Sequence, residues 1–282
     1  MAERLTALTS DGVRLVLRRH RPAGTVRAVC LAGHAMMANG SYMERAGFAT
    51  HLADRGVDLF VLDFRGHGES VPPTARGATW CFDDYVERDL PAAMRTVGEA
   101  SGAAPGELGY LGHSLGGLVG LAAFGAAGTV SLPRRLALWA TSVWLGGPWP
   151  RRALMAVFAL SAMPLGYAPA RRFRVGSDDE PRAYVADLSR WVRSGRWTSR
   201  RGVDYRSGLA SVRCPVWAVA GEADRLCRPR DAEELRGALP EAAPLRRVGR
   251  AHGDALDPDH FALFTARPLR PLWDELAGFL AG

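Results

Sequence analysis

The chain has 282 residues and a formal charge of +7, with 36 basic side chains, all of them arginine, against 29 acidic ones. An apolar content of 48% is that of a folded globular protein and excludes a disordered chain. The arginines are scattered or paired, as at 134–135, 151–152 and 171–172, without the long basic run of a nucleic-acid footprint, so no nucleic-acid partner is expected.

In chain order, residues 5–9 and 13–19 read as a hairpin around Asp11-Gly12. Residues 26–32 (VRAVCLA) form a short buried-strand pattern, followed by a loop over 33–41 and a helix over 42–55. Residues 57–62 (VDLFVL) are a strand that runs into the glycine-rich turn DFRGHGES at 63–70. A helix is expected over 83–99, interrupted at Pro91, then a strand over 108–111 and a helix of small apolar residues over 115–127. Strands follow at 135–141, 215–220 and 245–248, a helix at 230–239, and a mostly helical stretch over 256–280 broken at Pro258, Pro268 and Pro271. Alternating strands and helices imply a mostly parallel twisted sheet flanked by helices on both faces, with reactive loops at the strands' carboxyl ends. Residues 142–208 break the alternation. They show no clear strand and are rich in Trp, Arg and Pro, which reads as a helical lid inserted into a core of 1–141 and 209–282.

The N-terminal stretch MAERLTALTSDG has no apolar signal core, and the longest apolar run, 153–162, is shorter than the roughly 20 residues of a spanning helix. Cys30, Cys81, Cys214 and Cys227 have no paired ligand spacing and are too sparse for a disulfide scaffold. Reduced thiols and a cytoplasmic location are expected. Arg151-Arg152 before the apolar run, and Arg171, Arg172 and Arg174 after it, are compatible with a helix lying on a membrane. A lid helix covering the core is the reading preferred here, and membrane association is not expected.

Ser114 lies in GHSLG at 112–116, a G-x-S-x-G pattern that follows a strand and opens a helix. The glycines suit a nucleophile on a sharp turn, and the Leu115 amide at the helix start is aimed at a developing oxyanion. A capping serine in a glycine-rich helix start is the plainer alternative. A serine hydroxyl needs a base, and the base needs an orienting acid, in the chain order Ser, acid, His. Asp224, in GEAD just past the strand at 215–220, fills the acid position, and His252, just past the last strand, fills the base position. Glu222 and Asp231 compete for the acid, and His260, which sits in a helical pattern after Asp257-Pro258, competes for the base. His113 is expected to pack beside the turn, His67 to make a structural hydrogen bond, and Asp63 with Arg65 to brace the DFRGHGES loop. The second oxyanion amide is expected from the loop at 33–40, at Met36 with Met37 as its rival. Met37, His34, Trp144 and Phe158 are expected to line an apolar pocket, with Trp149, Met155, Met163, Tyr167, Phe173, Trp191 and Trp197 of the lid in the same setting.

On GHSLGG at 112–117, DFRGHGES at 63–70, GEAD at 221–224 and the His252 loop, the chain resembles the α/β-hydrolase fold superfamily over nearly its whole length. The segments GSDDEPRAYVADLSRWVRSGRW and ATWCFDDYVERDLPAAM are similar to those of a group of bacterial α/β-hydrolases. The resemblance implies the fold, the triad Ser114, Asp224 and His252, and no metal or organic cofactor. It leaves the substrate open. Many members carry His-Gly before the oxyanion residue, and here the pair is His34-Ala35, so that loop departs from the pattern. The expected activity is a serine hydrolase acting on a small apolar carboxylic ester, thioester or lactone. An acyltransferase or cyclising thioesterase with the same triad, and a non-catalytic ligand-binding protein on this fold, are the alternatives.

Overall fold

A computed structural model describes residues 2–75, 77–126, 128–143, 145 and 149–282. Its main sheet has the order β1-β2-β4-β3-β5-β6-β9-β10. The strands are β1 (Glu3–Leu8), β2 (Arg14–His20), β3 (Ala28–Gly33), β4 (Val57–Asp63), β5 (Leu108–His113), β6 (Arg135–Trp139), β9 (Val216–Gly221) and β10 (Arg246–Val248). The β1–β2 and β2–β4 pairs are antiparallel and the pairs from β4 through to β10 are parallel. The hairpin at Asp11-Gly12 forms as the sequence indicates, with Gly12 at φ 81.

Helices α1 (Ser41–Arg45), α2 (Phe48–Asp54), α3 (Phe82–Asp84), α4 (Leu90–Ser101) and α5 (Leu115–Gly125) belong to the first half. Helices α6 (Trp149–Leu165), α7 (Arg182–Ser194), α8 (Tyr205–Gly208), α9 (Pro229–Arg236), α10 (Ala262–Thr265) and α11 (Arg270–Ala281) follow. Every residue of β4 is buried, which is why VDLFVL reads as a continuous apolar run without alternation. Its side chains divide by the period of two. Phe60 and Leu62 join the core formed with α4 and α5, while Val57, Leu59 and Val61 join the core formed with α2 and α11.

Between β6 and β9 the chain inserts α6, α7 and α8. The sequence showed no strand there, yet β7 (Tyr167–Ala168) and β8 (Glu180–Pro181) form a small antiparallel ladder. Strands of two residues lie below the reach of any periodicity. Trp191 and Trp197 are buried with Phe82 in the main core, whereas Trp149, Met163 and Phe173 are exposed, so the lid aromatics do not converge as one pocket lining. Three other expectations change in detail. The helix over 42–55 is split by Gly47 at φ 86. Pro91 is the second residue of α4, and a π-helical turn at Tyr85–Asp89 runs directly into it, so the proline falls where the hydrogen-bond step of the helix changes. The stretch from 256 begins as a loop and becomes helical at α10.

Among the described residues, no helix is long and apolar enough to cross a membrane. All four cysteines are buried, and none forms a disulfide among the described residues.

Candidate active site

Ser114 stands between β5 and α5 with φ 52 and ψ −109, a conformation that L-residues avoid. The turn is tight enough to dictate its neighbours. A Cβ on Gly112 would lie 2.3 Å from Gly117 Cα, and one on Gly116 would lie 2.3 Å from the Gly33 carbonyl oxygen. The elbow is tied down by Ser114 N–H donating to the Trp139 carbonyl at 3.0 Å and Gly116 N–H donating to the His34 carbonyl at 2.9 Å. Ser114 is half-buried, and its hydroxyl forms no hydrogen bond among the described residues.

Asp224 follows β9 and is buried. Its Oδ1 accepts the Leu226 and Cys227 amides, each at 2.8 Å, and its Oδ2 lies 2.8 Å from Nδ1 of His260. The expected partner, His252, is elsewhere. It is about one-third exposed, at 34%, and its Nε2 lies 2.8 Å from Glu222, which also takes Arg247 at 2.7 Å. Asp224 and His252 are therefore not brought together, and the pairing drawn from chain order is corrected to Asp224 with His260.

The reason lies in the path of the loop. β10 is the edge strand, and the chain leaves it through a 3₁₀ turn at Arg250–His252, beside Glu222. It then returns over the end of β9, where the Pro258 carbonyl accepts the Ala223 N–H at 3.2 Å and lies 2.3 Å from where a Cβ on Gly221 would stand. That return delivers His260 to Asp224. His260 precedes α10 and is not part of a helix. Its ring centroid is 4.7 Å from that of His113, the residue before Ser114.

His113 is a structural neighbour. Tyr42 accepts the Ala35 amide at 3.3 Å and donates its hydroxyl proton to His113 Nδ1 at 2.5 Å. Burial, with a smaller contribution from His260, holds the His113 imidazole neutral, well below the usual histidine range.

In the 33–40 loop, His34 is fully buried. Its Nε2 accepts the Phe64 amide at 3.1 Å and its Nδ1 donates to the Ala35 carbonyl at 2.8 Å. Burial lowers its pKa to about 4. Both ring nitrogens serve the backbone, so His34 braces the loop and offers no polar group to a pocket. The Met37 amide donates to Glu180 Oε1 at 2.5 Å, whereas the Met36 and Leu115 amides find no acceptor among the described residues. Phe158 packs on the lid's own small cluster with Ala162, Ala168 and Val185. Trp144 lies outside the described residues.

The loop at 63–70 is braced, though not by Asp63 and Arg65 jointly. Asp63 takes Arg18 at 2.6 and 2.9 Å, and Arg65 takes Asp89 and Asp11 at 2.7 and 2.8 Å. His67 pairs with Glu180 at 3.1 Å, both side chains fully buried. Glu180 and Tyr42 carried no signal in the sequence, since each is a single residue whose partners lie on distant segments. Asp231 sits in the first turn of α9, paired with Arg228 at 2.9 Å. Among the described residues, no group of three or more His, Cys, Asp or Glu side chains is placed to hold a metal ion.

Residues 24–246 match the family described as Serine aminopeptidase, S33. A triacylglycerol lipase 2 from Arabidopsis thaliana is 33% identical over 100 residues, 33% of this chain and 23% of the lipase, so this chain spans under a quarter of that relative's length. Among solved structures, DcsB in complex with its substrate analogue is similar with a TM-score of 0.70 at 14% identity, covering 99% of both chains. The enol-lactonase from Burkholderia xenovorans LB400 is similar with a TM-score of 0.63 at 17% identity, covering 99% of this chain and 100% of that one. Identities this low speak to the fold alone.

Proposed function

The chain belongs to the serine aminopeptidase S33 family of the α/β-hydrolase superfamily, and on that premise we propose that it is a serine hydrolase that opens a carboxylic ester, thioester or lactone through an acyl-enzyme on Ser114. The observation that carries the reading is the buried Asp224–His260 pair at 2.8 Å beside the strained serine elbow.

In this mechanism Asp224 holds His260 with its proton on Nδ1, leaving Nε2 as the nitrogen that takes the Ser114 proton. The Ser114 oxygen attacks the carbonyl carbon. The resulting oxyanion is held by the Leu115 amide at the start of α5 and the Met36 amide, donors that find no acceptor among the described residues. Collapse of the intermediate expels the alcohol or thiol, which receives the proton from His260. Water then attacks the acyl-enzyme with His260 as base, and the acid leaves. His252 has no part in this scheme.

The family's name raises peptide hydrolysis as a second reading. An aminopeptidase needs an acidic group for the substrate's terminal ammonium. The lid carboxylates that touch the oxyanion loop, Glu180 and Asp178, are engaged by His67 and the Met37 amide and by Asn39 and the Gly68 amide, which favours esters over free-amine peptides. The lipase, 33% identical over 100 residues, supports the same choice of an ester over a peptide. A lid over 142–208 and a cytoplasmic location, the latter supported by four buried cysteines that form no disulfide among the described residues, complete the proposal.

The test is turnover of p-nitrophenyl acyl esters, an acyl thioester and aminoacyl p-nitroanilides by wild type and Ser114→Ala, with mass mapping of a fluorophosphonate adduct. Ester turnover and an adduct on Ser114, both lost in the variant, are expected. Equal activity of the variant on every ester would sink the proposal, and preference for the anilides would move it to peptidase. Alcohols added as competing acceptors separate hydrolysis from acyl transfer.

A further inference from the structure

Glu180 lies on β8 of the inserted segment and is fully buried. It reaches the core at two points through one oxygen: Oε1 accepts the Met37 amide at 2.5 Å and faces His67 Nε2 at 3.1 Å. The other nitrogen of His67, Nδ1, lies 3.0 Å from the Arg65 carbonyl oxygen. A carboxylate and a carbonyl only accept, so both ring nitrogens must carry protons and the ring is an imidazolium. The pair is net neutral in a place where water is excluded.

The same lid segment holds the other side of Met37. The Met37 carbonyl accepts the Ser177 amide at 2.9 Å and the Asp178 amide at 3.2 Å. A Cβ on Gly176 would lie 2.3 Å from that oxygen. Met37 itself has φ 56, the left-handed region in which a side chain is strained. Such a conformation persists only where its surroundings impose it, and here residues 176–180 do so from both ends of the residue. The peptide before Met36 is fixed independently, because its Ala35 carbonyl accepts from His34 Nδ1 at 2.8 Å. That peptide carries the Met36 N–H, so His34 holds its plane, while Glu180 and residues 177–178 hold the backbone on the other side of Met36.

We propose that Glu180, balanced by the His67 imidazolium, is a positioning residue for the oxyanion loop: it seats the lid on Met37 and so holds the backbone that follows the Met36 amide, whose own peptide His34 fixes from the other side. The inference rests on the hydrolase reading above. Two consequences separate it from simple anchoring. Glu180 acts on the transition state, so its loss lowers kcat more than it raises KM. The charge balance also matters: Glu180 without His67 leaves a bare carboxylate beside the place where negative charge develops, which is worse than removing both charges.

The experiment measures kcat, KM and the affinity for an alkyl boronic acid, whose adduct on the serine places an oxygen where the oxyanion forms. The proteins are wild type, Glu180→Gln, Glu180→Ala, His67→Gln and the double variant His67→Gln/Glu180→Gln, each checked for folding by thermal denaturation. Glu180→Ala is expected to lower kcat by roughly 100-fold with KM within about three-fold, and to weaken boronate binding in parallel. Glu180→Gln keeps an acceptor for the Met37 amide and recovers much of the loss, and His67→Gln is slower than the double variant. If Glu180→Ala fails to fold, the Gln variants decide. Folded variants with wild-type kcat and boronate affinity, or a uniform rise in KM alone, would overturn the inference and leave the hydrolase reading intact. Wild-type protein without Ser114-dependent turnover would remove both.

Discussion

Asp224 is joined to His260 by a 2.8 Å hydrogen bond to Nδ1, while His252 is joined to Glu222 by one of the same length. The two histidines occupy the two ends of one loop, and only the far end returns to the nucleophile's side of the sheet. This predicts an asymmetry between them. His260→Ala lowers kcat/KM on a p-nitrophenyl ester by roughly a million-fold, and Asp224→Asn by about 10,000-fold. His252→Ala stays within about three-fold, because its ring pairs with Glu222 at the surface. Initial rates for the three variants decide, and the reverse order would return the base to His252.

Local packing makes a glycine of the elbow and a glycine of α11 respond in opposite directions. A Cβ on Gly116 would stand 2.3 Å from the Gly33 carbonyl oxygen, while one on Gly278, in α11, meets nothing within 4 Å. Gly116→Ala is expected to destabilise the fold by about 1–3 kcal/mol. Gly278→Ala is expected to stabilise it by about 0.5–1 kcal/mol, since alanine is the better helix former and restricts the unfolded chain. Calorimetric midpoints of the two variants check both signs.

Stability depends on pH through His67. Burial opposes its charge, but the carboxylate of Glu180, and behind it Asp178, raise its pKa from 6.5 to about 9. The groups facing the ring are Glu180, Asp178, the Arg65 carbonyl, and the rings of His34 and Tyr85. A raised folded-state pKa means that the folded state binds the proton more tightly than the unfolded chain does. Its stabilisation is complete below about pH 6.5 and is lost as pH rises through about 9. Urea midpoints of wild type are expected to fall across this window more steeply than those of His67→Gln. Parallel curves would refute the assignment.

Burial also silences the thiols. It raises Cys81 and Cys214 to about 11 and pushes Cys30 higher still. At pH 8 the native protein should therefore react slowly with Ellman's reagent, and rapidly at all four cysteines in guanidinium. Fast labelling of the native state would contradict the packing.

Patterns carried by neighbouring residues were legible without coordinates. The run VDLFVL is buried on both faces as β4, and Asp11-Gly12 turns the hairpin. GHSLG forms the elbow because its glycines answer contacts made within a few residues and with the adjoining strand. The engagement of the Met37 amide by Glu180, by contrast, left no mark in the sequence. The lid's apolar residues were less legible: Trp191 faces the core and Met163 faces solvent, and hydrophobicity alone does not distinguish a pocket wall from a packing face.

The sequence by itself determined the parallel sheet, the position of the strained serine and the place of Asp224 just after β9, because strand periodicity and turn chemistry are local properties of the chain. Tertiary structure alone decided which histidine meets Asp224, what holds Met37, and why His67 is charged. Each of these depends on where a loop or an inserted segment returns. That return is set by long-range contacts, Pro258 on Ala223 and Glu180 on Met37, which leave no periodic trace in the segments that make them.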